Sequence, residues 1–180
     1  MPQVMLLRAG GVGLMTLVAA FFILFADNSL PDQFAHFLSD QVNDGFQILA
    51  HLLMFTAGWR LRSWQPVLYD VAVALTVTSV VQLSKRFLIA DIALRPSGGY
   101  EGFPSGHASA TFSLAFVLSL YYPRLWWLWY SVAGLVTWSR IQTNAHTELQ
   151  ITAGMLFGTI VAYFVAMLIR QWKKKLPANS

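Results

Sequence analysis

The chain has 180 residues, of which 56% are hydrophobic and only 11% are charged. A soluble domain of this size carries about a quarter charged residues, so the composition excludes an ordinary soluble protein and indicates an integral membrane protein. The chain has no cysteine, which excludes a disulfide framework and a thiolate nucleophile or metal ligand. The net charge of +4 is spread along the sequence and forms no single patch, so we expect no nucleic-acid partner.

Six apolar segments follow one another along the chain. About 20 apolar residues cross a bilayer as a helix, and these segments lack the strict alternation of barrel strands. We therefore predict an all-α, polytopic membrane protein with transmembrane helices at approximately Val4–Ala26, Gly45–Trp59, Leu68–Leu88, Ser105–Tyr122, Leu125–Trp138 and Leu149–Ile169. The second and fifth segments are short and need their polar flanks to reach the membrane surfaces.

The first segment resembles a signal peptide, but no small-residue cleavage site follows it, so we predict an uncleaved helix. Between the first two segments, Asp32–Asn43 has apolar residues at helical spacing and is predicted to be a short interfacial helix. An aromatic belt at the membrane surface is predicted from Trp126, Trp127, Trp129 and Tyr130. No domain boundary stands out, so residues 1–180 are expected to form a single domain.

The distribution of charge predicts the orientation of the helices. If the N-terminus is cytoplasmic, eight of the 12 basic residues lie on the cytoplasmic side and seven of the 8 acidic residues on the other side. The positive-inside rule therefore places both termini in the cytoplasm, in what we expect to be the inner (plasma) membrane of a bacterium. The basic residues on the non-cytoplasmic side are Lys85, Arg86, Arg95 and Arg140.

Three polar motifs stand at the ends of the apolar segments, namely Arg95-Pro96, Pro104-Ser105-Gly106-His107, and Ser139-Arg140 followed by His146. Phosphoryl transfer spreads negative charge over three oxygens, so its catalysis needs fixed cations and hydrogen-bond donors.

Arg95 and Arg140 can bind phosphate oxygens in bidentate fashion. Ser105 offers a hydroxyl, and Gly106 lets the backbone approach closely. Of the two histidines, one can attack phosphorus and the other can protonate the leaving oxygen. No Asp/His cluster with metal-ligand spacing accompanies the motifs, so we expect no metal and no cofactor.

The three motifs, in this order, resemble the signature motifs of the type 2 phosphatidic acid phosphatase superfamily, the membrane lipid phosphate phosphatases. The resemblance implies metal-independent hydrolysis, in which His146 is the nucleophile that forms a phosphohistidine and His107 protonates the departing alcohol. It also implies a set of residues that hold the phosphoryl group: Lys85, Arg95, Ser105, Gly106 and Arg140.

The first departure from the family pattern concerns the cation of the first motif. The family has a lysine seven residues before the arginine, where this chain has Leu88. Lys85 lies nearly one helical turn earlier, on roughly the same helix face, whereas Arg86 points to the opposite side. We predict that Lys85 fills the role, with Arg86 as the alternative.

The second departure is Gln150, which stands where the family has an aspartate, four residues after the nucleophilic histidine. The carboxylate fixes the histidine tautomer and stabilises positive charge on the ring. An amide oxygen can accept the same hydrogen bond but brings no charge. We predict that Gln150 orients His146. Glu148 is the nearest carboxylate in sequence, but it lies on the wrong side of a regular helix.

Three functions remain open from the sequence. The first is a lipid phosphatase acting on phosphatidate, phosphatidylglycerophosphate, a polyprenyl diphosphate or a lipid A phosphate at the non-cytoplasmic face. The second is a phosphotransferase that passes the phosphoryl group from His146 to another lipid. The third is a non-catalytic relative that binds lipid phosphates, for which Gln150 is the sequence support. The expected partners are a lipid phosphate and the bilayer, with headgroup recognition by Asp27–Asp44 and Asp91–Phe103.

Overall fold

The computed structural model describes residues 32–87 and 91–175, and within these ranges the chain is helical and contains no strand. The helix α1, Asp32–Phe37, continues into a π-helical turn, Leu38–Val42. The longer helices are α2 (Asn43–Arg60), α3 (Gln65–Phe87), α4 (Gly106–Tyr121), α5 (Trp126–Gln142) and α6 (Glu148–Lys175). Short 3-10 turns at Asp91–Ala93 and Pro123–Leu125 lie in the connections before α4 and α5.

The apolar segments predicted the positions of α2 to α6, and the all-helical class is confirmed for the described ranges. The first predicted segment, Val4–Ala26, lies outside the described residues. The predicted helix at Asp32–Asn43 is present as α1 together with the π-helical turn, and its location at the membrane surface stays a prediction. Single π-helical turns occur frequently at functional sites, which directs attention to this segment.

Two of the described helices are both long enough and apolar enough to cross a membrane, Gln65–Phe87 and Glu148–Trp172. The helices α2, α4 and α5 have 18, 16 and 17 residues. At 1.5 Å per residue, they reach about 24–27 Å, less than the ~30 Å hydrocarbon core of a typical bilayer. The count of six transmembrane helices therefore stays a prediction.

The helix α4 forms the centre of the bundle. Eleven of its 16 residues are buried, and it packs against α2, α3, α5 and α6. Its buried hydroxyls are satisfied along the helix itself, because Ser109 donates to the carbonyl of Ser105 at 2.8 Å and Ser119 donates to that of Ala115 at 2.7 Å. A helix surrounded on all sides has a fixed position, so the residues at its N-terminus are held firmly.

Two glycines allow α6 to approach α4 closely. A Cβ on Gly154 would lie 2.7 Å from the carbonyl oxygen of Ser105, and a Cβ on Gly158 would lie 2.8 Å from the carbonyl carbon of Ser109. These positions are one helical turn apart, in the small-xxx-small pattern that brings helix backbones together. Gln150 lies one further turn towards the N-terminus of α6, on the same face, so the close contact also sets its position.

Two of the four aromatic residues predicted at the membrane surface are buried instead. Trp129 and Tyr130 are 5% and 3% exposed and belong to the core, so the predicted aromatic belt is wrong for these two, whereas Trp126 and Trp127 are exposed. His51 joins α2 to α3 through a hydrogen bond of 2.8 Å between its Nδ1 and the buried Asp70 carboxylate.

We predict that Gly158→Ala destabilises the bundle, because the added methyl group meets the backbone of α4, which has no rotamer by which to move away. Overpacking of this kind costs about 1–3 kcal/mol, and a displaced α4 should also reduce activity. Thermal unfolding in detergent measures the loss. Gly45→Ala is the matched control, because nothing lies within 4 Å of its added Cβ. Equal stability of the two variants would contradict the close contact.

Candidate functional site

The polar motifs meet at one end of the bundle. The backbone N–H of Ser105 donates to the carbonyl of Gln150 at 3.0 Å, which joins the start of α4 to the start of α6. The His146 ring contacts the carbonyl of Gly102 at 3.1 Å, which joins the turn before α6 to the connection before α4. The structure therefore brings together residues that are 44 and 45 positions apart in the sequence.

The turn between α5 and α6 explains the spacing of Arg140 and His146. The carbonyl of Arg140 accepts hydrogen bonds from the N–H groups of Ala145 at 3.0 Å and His146 at 3.1 Å. Asn144 has φ +52°, a left-handed conformation that asparagine tolerates better than most residues. The chain thus folds back at once, and it brings the imidazole of His146 to the end of α5 that carries Arg140.

His146 is 3% exposed and is fixed through Nδ1. This nitrogen lies 3.1 Å from the carbonyl oxygen of Gly102 and 3.2 Å from Oε1 of Gln150. Both neighbours are acceptors, so Nδ1 carries the hydrogen and the lone pair of the neutral ring lies on Nε2. Nε2 is therefore the ring nitrogen whose lone pair is available.

The amide orientation of Gln150 follows from its backbone partners. Its Oε1 accepts from the backbone N–H of Thr147 at 3.1 Å, whereas its Nε2 donates to the carbonyls of Ile92 at 3.0 Å and Leu94 at 2.8 Å. If the amide were flipped, its NH₂ group would face the N–H of Thr147, and its oxygen would face the carbonyls of Ile92 and Leu94. Only the observed orientation therefore satisfies these hydrogen bonds. Gln150 is 0% exposed, and with His146 as the fourth partner its side chain makes all four hydrogen bonds available to it.

The Pro104-Ser105-Gly106-His107 motif forms the start of α4. A cis peptide bond joins Phe103 to Pro104, and Ser105 is the extended N-cap residue that precedes the helix. The first N–H groups of a helix have no partner within it and favour an anion. His107 lies in the first turn and interacts electrostatically with Arg140 and Lys85.

Arg95 lies in a closed loop. Its backbone N–H donates to the carbonyl of Gly99 at 3.0 Å, and its own carbonyl accepts from Gly98 at 2.9 Å. Gly98 and Gly99 have φ +93° and +86°, which glycine adopts without a steric penalty. The guanidinium donates to the backbone carbonyl of Glu101 at 2.9 Å. The backbone of this loop therefore positions the Arg95 side chain.

Arg140 contacts a segment whose individual residues the sequence analysis did not single out. Its guanidinium hydrogen-bonds the hydroxyl of Ser39, on the π-helical turn, and lies 3.8 Å from the carboxylate of Asp40. Ser39 lies within Asp27–Asp44, one of the two segments predicted to recognise headgroups, but no motif marks it. Gly102 and Thr147, which contact His146 and Gln150, also have no sequence signal.

Three buried donor atoms without a hydrogen-bond partner among the described residues come from the three motifs. They are Nε of Arg95, Oγ of Ser105 and Nε of Arg140. A buried donor without an acceptor costs about 1–3 kcal/mol, so each favours an incoming acceptor. Phosphate offers several acceptor oxygens to such a group of donors.

The structure also separates the candidate residues for two roles, the cation of the first motif and the partner of His146. Lys85 lies beside the Gly106 backbone, with Nζ 3.5 Å from the position of an added Cβ, whereas Arg86 is exposed. This placement favours Lys85 over Arg86. Glu148 is exposed at the start of α6, whereas Gln150 contacts His146 directly. In the described ranges, no three His, Cys, Asp or Glu residues lie together as a metal site.

Comparison with known proteins identifies the family. A model of the PAP2 superfamily matches residues 12–174. The chain belongs to the PAP2 superfamily. This result confirms the resemblance stated from the three motifs.

Shorter matches connect this PAP2 protein to two bacterial relatives. It is 40% identical over 65 residues to the bacitracin transport permease protein BcrC of Bacillus licheniformis. It is 39% identical over 70 residues to the lipid A 4'-phosphatase of Porphyromonas gingivalis. These segments cover 36% and 38% of this chain, and only 32% and 30% of the respective relatives. The match thus spans about a third of the length of each relative.

A solved structure has the same fold. The crystal structure of a transmembrane PAP2-type phosphatidylglycerolphosphate phosphatase from Bacillus subtilis superposes with a TM-score of 0.58, over 96% of this chain and 89% of that chain. The two sequences are 16% identical, so this likeness shows the fold alone.

The pKa of His146, in the turn before α6, is lowered from 6.5 to about 4. Burial is the largest cause, and the positive charges of Arg140, Arg95 and Lys85 act in the same direction. The hydrogen bond to Gln150 acts in the opposite direction, because it supports the protonated ring. His146 of this PAP2 protein is therefore neutral at pH 7, the form in which it can attack phosphorus.

We predict a pH-dependent contribution of His146 to stability. Because its folded pKa is lower than its unfolded value, the neutral ring's stabilisation is fully present above pH 6.5 and is lost as the pH falls towards 4. The free energy of unfolding of the wild type relative to His146→Ala, which cannot titrate, should decrease over this range by up to ~3 kcal/mol. Chemical denaturation in detergent at several pH values measures it. A difference that stays constant with pH would contradict the lowered pKa.

Proposed function

We propose that this PAP2 protein hydrolyses a lipid phosphate or lipid diphosphate without a metal, through a phosphohistidine on His146. The observation that carries the proposal is the single fixed tautomer of His146, whose Nδ1 is bound by Gly102 and Gln150. The buried donors of Arg95, Ser105 and Arg140 support it, because they come from all three motifs. A phosphate bound by these groups places its phosphorus before Nε2 of His146.

In the first step, the lone pair on Nε2 of His146 attacks phosphorus and forms the N–P bond. The bond between phosphorus and the lipid oxygen breaks, and this oxygen takes a proton from His107 and leaves as an alcohol, or as a lipid monophosphate when the substrate is a diphosphate. Arg95, Arg140 and Lys85 stabilise the charge on the three equatorial oxygens. The N–H groups at Gly106 and the hydroxyl of Ser105 donate to the same oxygens.

In the second step, water attacks the phosphohistidine. His107, now deprotonated, accepts a proton from the water as the new oxygen–phosphorus bond forms. The N–P bond breaks, and its electron pair returns to Nε2 of His146. Inorganic phosphate leaves, and both histidines regain their starting protonation states.

The hydrogen bonds of Gln150 bear on whether the protein is an active enzyme or a non-catalytic relative. In a non-catalytic relative, an orienting partner for the nucleophile would have no use, and the hydrogen bonds from His146 and Thr147 to the amide oxygen therefore favour an active enzyme. The named relatives include a lipid A 4'-phosphatase and a phosphatidylglycerolphosphate phosphatase. We extend this substrate class, phosphate esters of membrane lipids, to the present chain.

The proposed function is tested by phosphate release from a panel of lipid phosphates and diphosphates. We expect the purified protein to release phosphate from at least one member, to keep its rate in the presence of a chelator, and to be inhibited by orthovanadate. Vanadate adopts the five-coordinate geometry of the transition state, so it should occupy the same donors. Activity that disappears in chelator and returns with magnesium would overturn the metal-independent mechanism.

We predict different behaviour for the two histidines. His146→Ala should abolish turnover of every substrate, because it removes the atom that forms the covalent bond. His107→Ala should be severely impaired with an alkyl ester, by about 10²–10⁴-fold, but less so with an aryl phosphate whose leaving group needs no proton. Rates with the two substrates measure the contrast. Equal losses of His107→Ala with both would remove His107 from the role of acid.

The proposed site faces the non-cytoplasmic side of the membrane, and both termini face the cytoplasm. Because the chain has no cysteine, single introduced cysteines report sidedness without background. We predict that Glu101→Cys reacts with a membrane-impermeant thiol reagent from outside, whereas Arg62→Cys and Lys174→Cys react only after permeabilisation. Reaction of Glu101→Cys only from the cytoplasmic side would reverse the topology and the accessible lipid leaflet.

A further inference from the structure

The hydrogen bonds of Gln150 reach beyond His146. Its Nε2 donates to the carbonyls of Ile92 and Leu94, and Leu94 immediately precedes Arg95. Both carbonyls belong to the connection that carries the first-motif arginine. A carboxylate has no hydrogen to donate to either carbonyl, so an aspartate or glutamate at position 150 cannot make these two bonds when ionised.

The space around Gln150 is matched to its side chain. A Cβ on Gly102 would lie 2.6 Å from both Cδ and Oε1 of Gln150, so a residue with a side chain at position 102 would displace the amide. Gly102 also donates its N–H to the carbonyl of Ala93 at 2.8 Å, which closes the two ends of the same connection. The amide therefore fills the space enclosed by the connection from Asp91 to Gly102.

We infer that Gln150 is a positioning residue with two separable tasks: its amide oxygen orients His146, and its amide nitrogen anchors the loop that presents Arg95 to the phosphate. This inference rests on the proposed function for the role of the bound phosphate. It requires an amide at position 150, so we expect that a carboxylate there does not improve the enzyme.

The isosteric substitution Gln150→Glu separates the two tasks. At pH 8, the carboxylate keeps an acceptor for His146 and Thr147 but places its second oxygen against the carbonyls of Ile92 and Leu94. The loop should loosen, so we expect the dissociation constant of orthovanadate and the KM to rise about tenfold or more, with kcat within about threefold of the wild type. Gln150→Met, which has neither an acceptor nor a donor, should lose both binding and kcat.

Hydrogen exchange provides a readout that does not depend on activity. In Gln150→Glu, the amides of Arg95 and Gly102, which are hydrogen-bonded within the connection, should exchange faster, while those of α4 and α5 keep their protection. Gln171→Glu is the matched control, because Gln171 is exposed on the same helix far from the site. It should match the wild type in vanadate binding and in exchange.

A further variant keeps the inference testable if Gln150→Glu does not fold. His146→Ala removes the ring and its contact with the Gly102 carbonyl, but it leaves the bonds from Gln150 to the carbonyls of Ile92 and Leu94, so exchange at Arg95 should stay as in the wild type. Faster exchange there would show that His146, and not Gln150, holds the loop, and would overturn the inference.

The remaining outcomes separate the inference from the proposed function. A Gln150→Glu variant that binds vanadate like the wild type, or that loses kcat alone, would overturn the loop-anchoring role. Absence of phosphate release by the wild type would instead end the proposed function. The exchange measurements would still decide whether Gln150 anchors the loop.

Discussion

The close packing of α6 on α4 is the constraint on which the site depends. Gly154 and Gly158 remove the side chains that would otherwise separate the two helices at Ser105 and Ser109. The same approach allows the carbonyl of Gln150 to accept the N–H of Ser105, directly before the first turn that contains His107. Backbone contact thus fixes the start of α6, and the turn that carries His146, relative to the start of α4, and such contact tolerates little displacement.

The partners of Gln150 allow only one orientation of its side-chain amide. Two backbone carbonyls face its nitrogen, and a backbone N–H faces its oxygen. A neutral partner supports the protonated form of His146 less than a carboxylate would. Burial is the largest reason why the pKa of His146 is lowered to about 4, and three neighbouring cations act in the same direction, whereas the hydrogen bond to Gln150 opposes them. The ring of His146 is therefore neutral at physiological pH.

The segment preceding α2 extends the site beyond the three motifs. Its π-helical turn packs against α5 and brings Ser39 and Asp40 to the guanidinium of Arg140. On this side of the site Arg140 faces a carboxylate and a hydroxyl, and on the other side Arg95 lies 4.0 Å from the carboxylate of Glu101. Each arginine therefore has an acidic neighbour.

The sequence by itself determined the helical class, the approximate bounds of α2 to α6 and the residues of the three motifs, because hydropathy and motif spacing are local properties of the chain. The resemblance to the family motifs also predicted Gln150 as the partner of His146, and the two side chains lie 3.2 Å apart. Trp129 and Tyr130 were misassigned from the sequence, because their burial depends on which face of α5 meets α4. Only the tertiary structure decided that Gln150 bonds the loop before Arg95 and that Ser39 contacts Arg140, over separations of 56 and 101 residues. Contacts at such distances depend on how helices pack, and no local pattern records them.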